Sequence, residues 1–138
     1  MTSPDNQRRE AARIPAGRRE HEDVLCKKTL DGLREIGSDL GPTFFPGLLE
    51  IFQQDAIVHI AVLRSSIESG ETSQLAREAH ALRGASLTIG AKGMSVICMQ
   101  LENLGIAQTV EGAPAVLARL DHEFDRVKTE IEHESVIA

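Results

Sequence analysis

From Asp23 onward apolar residues recur at steps of three and four, and strand-like alternation is absent, so the chain is predicted to be built of amphipathic helices. Val24, Leu25, Leu30, Leu33 and Ile36 set out a short first helix, stopped near Gly37 and again at Gly41-Pro42. A longer second helix carries Phe45, Leu48, Leu49, Phe52, Ala56, Ile60, Leu63 and Ile67 on one stripe and ends at Gly70. Thr43 is its expected N-cap, which leaves Pro46 in the first turn, where a missing N–H costs little. The third helix, capped by Thr72 and closed by Gly90, turns Leu75, Ala79, Leu82, Ser86 and Ile89 inward. A fourth spans about 91–104 with Met94, Ile97, Cys98 and Leu101 inward and Gly105 as its stop. In the fifth, Pro114 sits near the first position, and Leu117, Leu120, Phe124, Val127 and Ile131 form the stripe. Links of a few residues between such helices force antiparallel neighbours. The expected fold is all-α, an antiparallel up-down four-helix bundle with a short extra N-terminal helix.

Residues 1–22 break this pattern. They hold almost nothing apolar and cannot bury enough surface to offset the entropy of ordering, so a flexible polar tail is expected there and the bundle domain over 23–138. Five arginines against four acidic residues give the tail +1, leaving -7 on the rest of a chain whose total is -6. At 138 residues the chain makes one domain with a real core, needing no disulfide or metal staple. The acidic balance argues against a duplex-binding module, which concentrates positive charge to meet phosphates. Neither a run of 18 apolar residues nor an apolar leader core is present, so a cytoplasmic location without membrane contact is expected. Cys26 and Cys98 lie too far apart for a C-x-x-C site and are read as small packing residues. With no Trp, no Tyr and four Phe, aromatic stacking platforms are excluded.

Candidate chemistry concentrates on the third helix. Turned at about 100° per residue with Leu82 at the centre of the buried stripe, the inward set falls within roughly 60°, whereas His80 falls at about 160° and faces water. The positions four before, four after and seven after it are Ala76, Gly84 and Leu87, so the histidine is flanked by almost bare backbone. A mid-helix Gly84 weakens the helix by about 1 kcal/mol without serving a turn, which points to a surface something must approach closely. Arg83, three residues on, leans over the same patch and favours an anion there. An uncrowded imidazole keeps a free lone pair near neutral pH, so this arrangement suits a nucleophile that accepts an anionic group such as phosphoryl.

The run His80-Ala81-Leu82-Arg83-Gly84-Ala85-Ser86-Leu87-Thr88-Ile89-Gly90-Ala91, followed by Met94, Cys98, Leu101 and Glu102, resembles the histidine-containing phosphotransfer (HPt) domains of multistep two-component phosphorelays. The resemblance extends over about Val24 to Glu132 and departs from the common pattern at Arg83, where Lys is more usual, and at Glu71, where Asp is. It implies a four-helix bundle whose His80 receives phosphoryl from a receiver domain's aspartyl-phosphate and passes it to another receiver's Asp. It also implies that Arg83 offsets phosphate charge, that Ala76, Gly84 and Leu87 lie on the docking surface, and that a polar side chain of the fourth helix, Glu102 or Gln100, orients the imidazole. The implied partners are receiver domains of response regulators or hybrid histidine kinases, met by a monomer. Magnesium is expected in the partner receiver and no cofactor or metal in this chain.

Without a Gly-rich phosphate loop the chain shows no ATP site, and it is expected to be a transfer intermediate rather than an enzyme. His59 borders the stripe of the second helix and reads as a satisfied boundary histidine. His122 and Asp125, at i, i+3, lack the second E-x-x-H element of di-metal bundles and read as a surface hydrogen bond. Asp121, Glu123, Asp125, Glu130 and Glu132 read as a solvated face. The alternative function is an adaptor that binds a receiver or histidine kinase without taking phosphoryl, for which an intact imidazole has no use.

Overall fold

The computed structural model describes residues 24–137; the tail expected over 1–22 lies outside them. Among the described residues five helices form, α1 (Lys27–Leu40), α2 (Phe44–Ser69), α3 (Thr72–Thr88), α4 (Lys92–Ile106) and α5 (Ala113–Ile137), and no strand is present. Two residues join α2 to α3, three join α3 to α4 and six join α4 to α5. Such links cannot cross the bundle, so consecutive helices run antiparallel. α5 returns against α2 and closes the four-helix ring, α1 packs on α2, and the most extensive contact is between α3 and α4.

The predicted stripes form the core. Leu75, Ala79, Leu82 and Ser86 of α3 are buried, and they meet buried Met94, Cys98 and Leu101 of α4, Leu49, Phe52, Ala56, Ile60 and Leu63 of α2, and Leu117, Leu120, Phe124, Val127 and Ile131 of α5. Ser86 is a polar residue that the interior admits because its hydroxyl donates back to the Leu82 carbonyl at 2.7 Å. At the bundle's end Arg34 of α1 stacks over the Phe45 ring at 4.7 Å and donates to the carboxylate of Glu134 on α5. That pairing accounts for a buried acid near the chain's end.

Two glycines expected to stop helices lie inside them. Gly37 is buried within α1, which runs on to Leu40, and a Cβ there would lie 3.3 Å from the Phe44 ring. Gly105 is buried within α4, and a Cβ there would stand 2.6 Å from the Thr72 carbonyl oxygen and 2.7 Å from the Ala76 amide nitrogen of α3. Both are bare because another element presses on the backbone, a reason that periodicity along one strand of sequence does not contain. Stops that do need glycine include Gly70, at φ 73° after α2, and Gly90, at φ 82° between α3 and α4, whose carbonyl accepts the Cys26 amide at 2.9 Å. Of the two threonines expected to cap, one takes the N-cap position. Thr43 stands at the N-cap of α2 without a side-chain bond, and Thr72 is the first residue of α3, after Glu71. Ile36, placed on the inward stripe of α1, is 52% exposed, because this short helix covers only one end of α2.

Candidate functional site

The geometry of the site follows from the close crossing of α3 and α4. With Gly105 against the backbone of Thr72 and Ala76, the two helices approach too closely for any side chain to intervene, and a residue one turn earlier on α4 reaches the outer face of α3. That residue is Glu102. Its Oε2 lies 2.8 Å from His80 Nδ1, and its Oε1 lies 3.1 Å from Arg83 Nε. Arg83 Nη2 stands 3.1 Å from the same Nδ1, so imidazole, guanidinium and carboxylate form one compact cluster.

A carboxylate only accepts, so Nδ1 carries the proton and donates it to Glu102. The Nη2–Nδ1 contact then joins two donors, and it is tolerable because both face the same negative charge. Arg83 Nε and Glu102 Oε1 are buried and paired electrostatically, their angle falling outside a hydrogen bond. Exposure is graded across the cluster: the His80 side chain is 64% exposed and that of Glu102 only 15%. In the neutral ring, with the Nδ1 proton committed to Glu102, Nε2 is the free lone pair, held in orientation on a side chain that stands mostly in water. Beneath the cluster lies Cys98, whose thiol burial pushes up to about 12; the Arg83 guanidinium pulls it down and the Glu102 carboxylate pushes it up, and neither decides the outcome.

Around His80 the helix is as bare as its sequence suggests. A Cβ on Gly84 would meet nothing within 4 Å, Leu87 is exposed, and Ala76 lines a shallow depression together with Arg77, His80 and Glu102. Gln100 lies elsewhere: it accepts from Arg119 Nη2 of α5 at 3.0 Å, so of the two polar residues expected at the imidazole the structure brings Glu102 and not Gln100. Two positions on α4 complete the surroundings and escape a reading by stripes, Met99 three residues before Glu102 and Ile106 four after it, both exposed apolar residues on its face. Their signal was present as apolar positions displaced from the buried stripe, but nothing in the sequence says which neighbour α4 turns that face towards.

Several of the other titratable residues have structural partners of their own. His59 Nδ1 pairs with Glu78 at 2.7 Å across α2 and α3. Asp125 pairs with Lys128 at 3.3 Å rather than with His122. Asp121 takes a two-pronged bond from Arg64, both prongs at 3.0 Å, and Glu123 accepts from Arg126 at 2.9 Å. Cys26 stands at the N-cap of α1, where a hydrogen bond with Thr29 holds its thiol below the ordinary range. Among the described residues no group of three or more His, Cys, Asp or Glu is placed to hold a metal, and no helix is long and apolar enough to cross a membrane.

Fold and site together define a helical bundle that displays one carboxylate-anchored histidine on an open helix face. Residues 47–130 match the Hpt domain family, and the chain belongs to it. Histidine-containing phosphotransfer protein 2 of Arabidopsis thaliana is 26% identical over 103 residues, covering 72% of this chain and 66% of that protein. Histidine-containing phosphotransfer protein 5 of the same plant is 24% identical with the same coverage, so the chain spans about two thirds of the length of these curated relatives. The crystal structure of histidine-containing phosphotransfer protein B from Pseudomonas aeruginosa PAO1 superposes with a TM-score of 0.77 at 25% identity, covering 83% of this chain and 96% of that one. A putative histidine-containing phosphotransfer protein from rice shares the fold, with a TM-score of 0.72 at 18% identity over 82% of this chain and 80% of that one.

Proposed function

We propose that the chain is a phosphorelay carrier: His80 accepts a phosphoryl group from the aspartyl-phosphate of one receiver domain and yields it to the aspartate of another. The observation that carries this reading is the bond from His80 Nδ1 to Glu102 at 2.8 Å on a side chain that is otherwise mostly in water. The bond leaves Nε2 as the nucleophile. In the transfer, the Nε2 lone pair forms the N–P bond as the acyl P–O bond breaks, and the electron pair of that bond leaves on the receiver's carboxylate. The imidazole ring takes up a positive charge with Nδ1–H retained, and Glu102 faces that charge directly. Reversal of the same steps delivers phosphoryl onward.

Arg83 holds Glu102 in place and keeps a positive charge within reach of the phosphoryl oxygens, a guanidinium having more donors than this pair consumes. Gly84, Ala76 and Leu87, with Met99 on α4, form the face against which a receiver docks, and the missing side chain at Gly84 lets the receiver's rim approach the imidazole. Positioning and charge do most of the work in phosphoryl transfer, and the receiver brings its own magnesium. The reading places the protein in the cytoplasm as a monomer that meets its partners transiently.

The test is incubation of the full chain with phosphorylated receiver domains, followed by mapping of acid-labile phosphate. Label is expected on His80 and is lost in His80→Gln, whose melting stays within about 0.5 kcal/mol of the parent because the site is exposed. Undiminished label in His80→Gln refutes the site. Receiver binding without label on the parent chain supports the adaptor instead.

A further inference from the structure

Six arginines lie among the described residues, and five of them have a side-chain acceptor: Arg34 has Glu134, Arg64 has Asp121, Arg83 has Glu102, Arg119 has Gln100 and Arg126 has Glu123. Arg77 is the sixth. It is exposed, and it lines the open depression that holds His80, Glu102 and Ala76. Its isolation is written into α3: the positions three and four residues away are Ser73, Gln74, His80 and Ala81, none of them a carboxylate. The adjacent Glu78 is taken by His59 at 2.7 Å. Arg83, by contrast, has its Nε 3.1 Å from the Glu102 carboxylate, so the cation next to the imidazole already faces an internal negative charge.

Resting on the reading of His80 as phosphoacceptor, we propose that Arg77 is a second cation, beyond Arg83, and the one that binds the phosphoryl oxygens directly once the group is on Nε2. Arg83 then acts as a positioning residue for Glu102 and the ring. The chemistry suits the division. A phosphoryl group on Nε2 brings two negative charges to the side of the ring away from the Nδ1–Glu102 bond. Helical side chains lean toward the N-terminus of their own helix, so the His80 ring lies over the turn that contains Ala76 and Arg77. A guanidinium with no side-chain partner among the described residues gives up no bond to them in order to meet that charge. It also offers a planar pair of donors to two phosphoryl oxygens.

The test phosphorylates the full chain chemically with phosphoramidate and follows the phosphohistidine resonance by 31P NMR as a function of pH. A nearby cation favours the dianion, so Arg77→Ala raises the midpoint of phosphoryl protonation by about 0.5 pH unit. Arg77→Lys restores part of that shift, and Arg126→Ala, a charge removed from a distant face, leaves the midpoint unchanged. Transfer to a receiver falls about three- to tenfold in Arg77→Ala at saturating receiver. An unmoved midpoint overturns the proposal, and if it is accompanied by a raised receiver concentration at half-maximal rate, Arg77 belongs to docking instead. Absence of any resonance that is lost in His80→Gln refutes the phosphoacceptor reading itself, which separates the two failures.

Discussion

Replacing Gly105 with Ala tests whether α3 and α4 are held at the distance that brings Glu102 to His80. Judged from helix propensity alone the change stabilises α4 by up to about 1 kcal/mol, because Gly is a poor helix residue. The structure reverses the sign. The new Cβ would stand 2.6 Å from the Thr72 carbonyl oxygen, about 0.8 Å inside the 3.4 Å at which ordinary contact begins, with the Ala76 amide nitrogen at 2.7 Å and Ala76 Cβ at 2.9 Å. Two of these neighbours are backbone and cannot turn aside, so relief requires the two helices to separate. Overpacking of that kind costs about 1–3 kcal/mol, occasionally more, and outweighs the propensity gain. For a domain of this size each kcal/mol moves Tm by roughly 3–6 °C, so a net cost of about 1–2 kcal/mol lowers Tm by about 3–12 °C in a calorimetric scan. Gly84→Ala is the matched control: nothing lies within 4 Å of its Cβ, and Tm should rise by a few degrees. Separation of the helices also lengthens the Glu102–His80 bond, so phosphoryl transfer by Gly105→Ala should fall even at temperatures where it is fully folded. A Gly105→Ala protein as stable as the parent would show that the crossing is not close, and the account of how Glu102 reaches the imidazole would fail with it.

Gly84→Gln should fold as well as the parent yet transfer at least about tenfold more slowly at limiting receiver, since a long side chain then stands where the partner's rim must come; parental rates at every receiver concentration would remove Gly84 from the docking face. Arg34→Ala strips a buried carboxylate, Glu134, of its partner and should lower stability by about 1–3 kcal/mol in urea unfolding, with no effect on transfer. Cys98 stays protonated in the fold to about pH 12, whereas the same thiol ionises near 9 when unfolded. Its contribution is therefore complete below pH 9 and declines as pH rises from there toward 12, so Cys98→Ala should flatten the loss of stability seen in alkaline melts. In the native protein a thiol reagent should label Cys26, whose thiol is held low, well before Cys98.

The helices and their inward faces were legible in the sequence because burial imposes its period directly on residue type. The stripe of α3 ran from Leu75 through Ser86 to Ile89 as expected, and the outward place of His80 followed from the same rotation. The bareness around the histidine was equally local, since Ala76 and Gly84 lie at fixed helical offsets from it. What one helix does to another left no such period. Gly37 and Gly105 resemble helix stops in sequence and are contact points in space, distinguishable only once Phe44 and the backbone of Thr72 and Ala76 are seen against them. The choice of Glu102 over Gln100 was of the same kind. Both are polar residues near the end of α4, but they lie two positions apart, about 200° around the helix, so only one can face α3 while the other turns to Arg119 of α5. Arg83 and Arg77 are likewise two exposed-side cations at +3 and −3 from His80, and tertiary structure alone commits the first to Glu102 and leaves the second without a partner among the described residues. Periodicity fixes which way a side chain points from its own axis; what it meets there depends on the distance and rotation of the neighbouring helix, which is set by packing over the whole bundle.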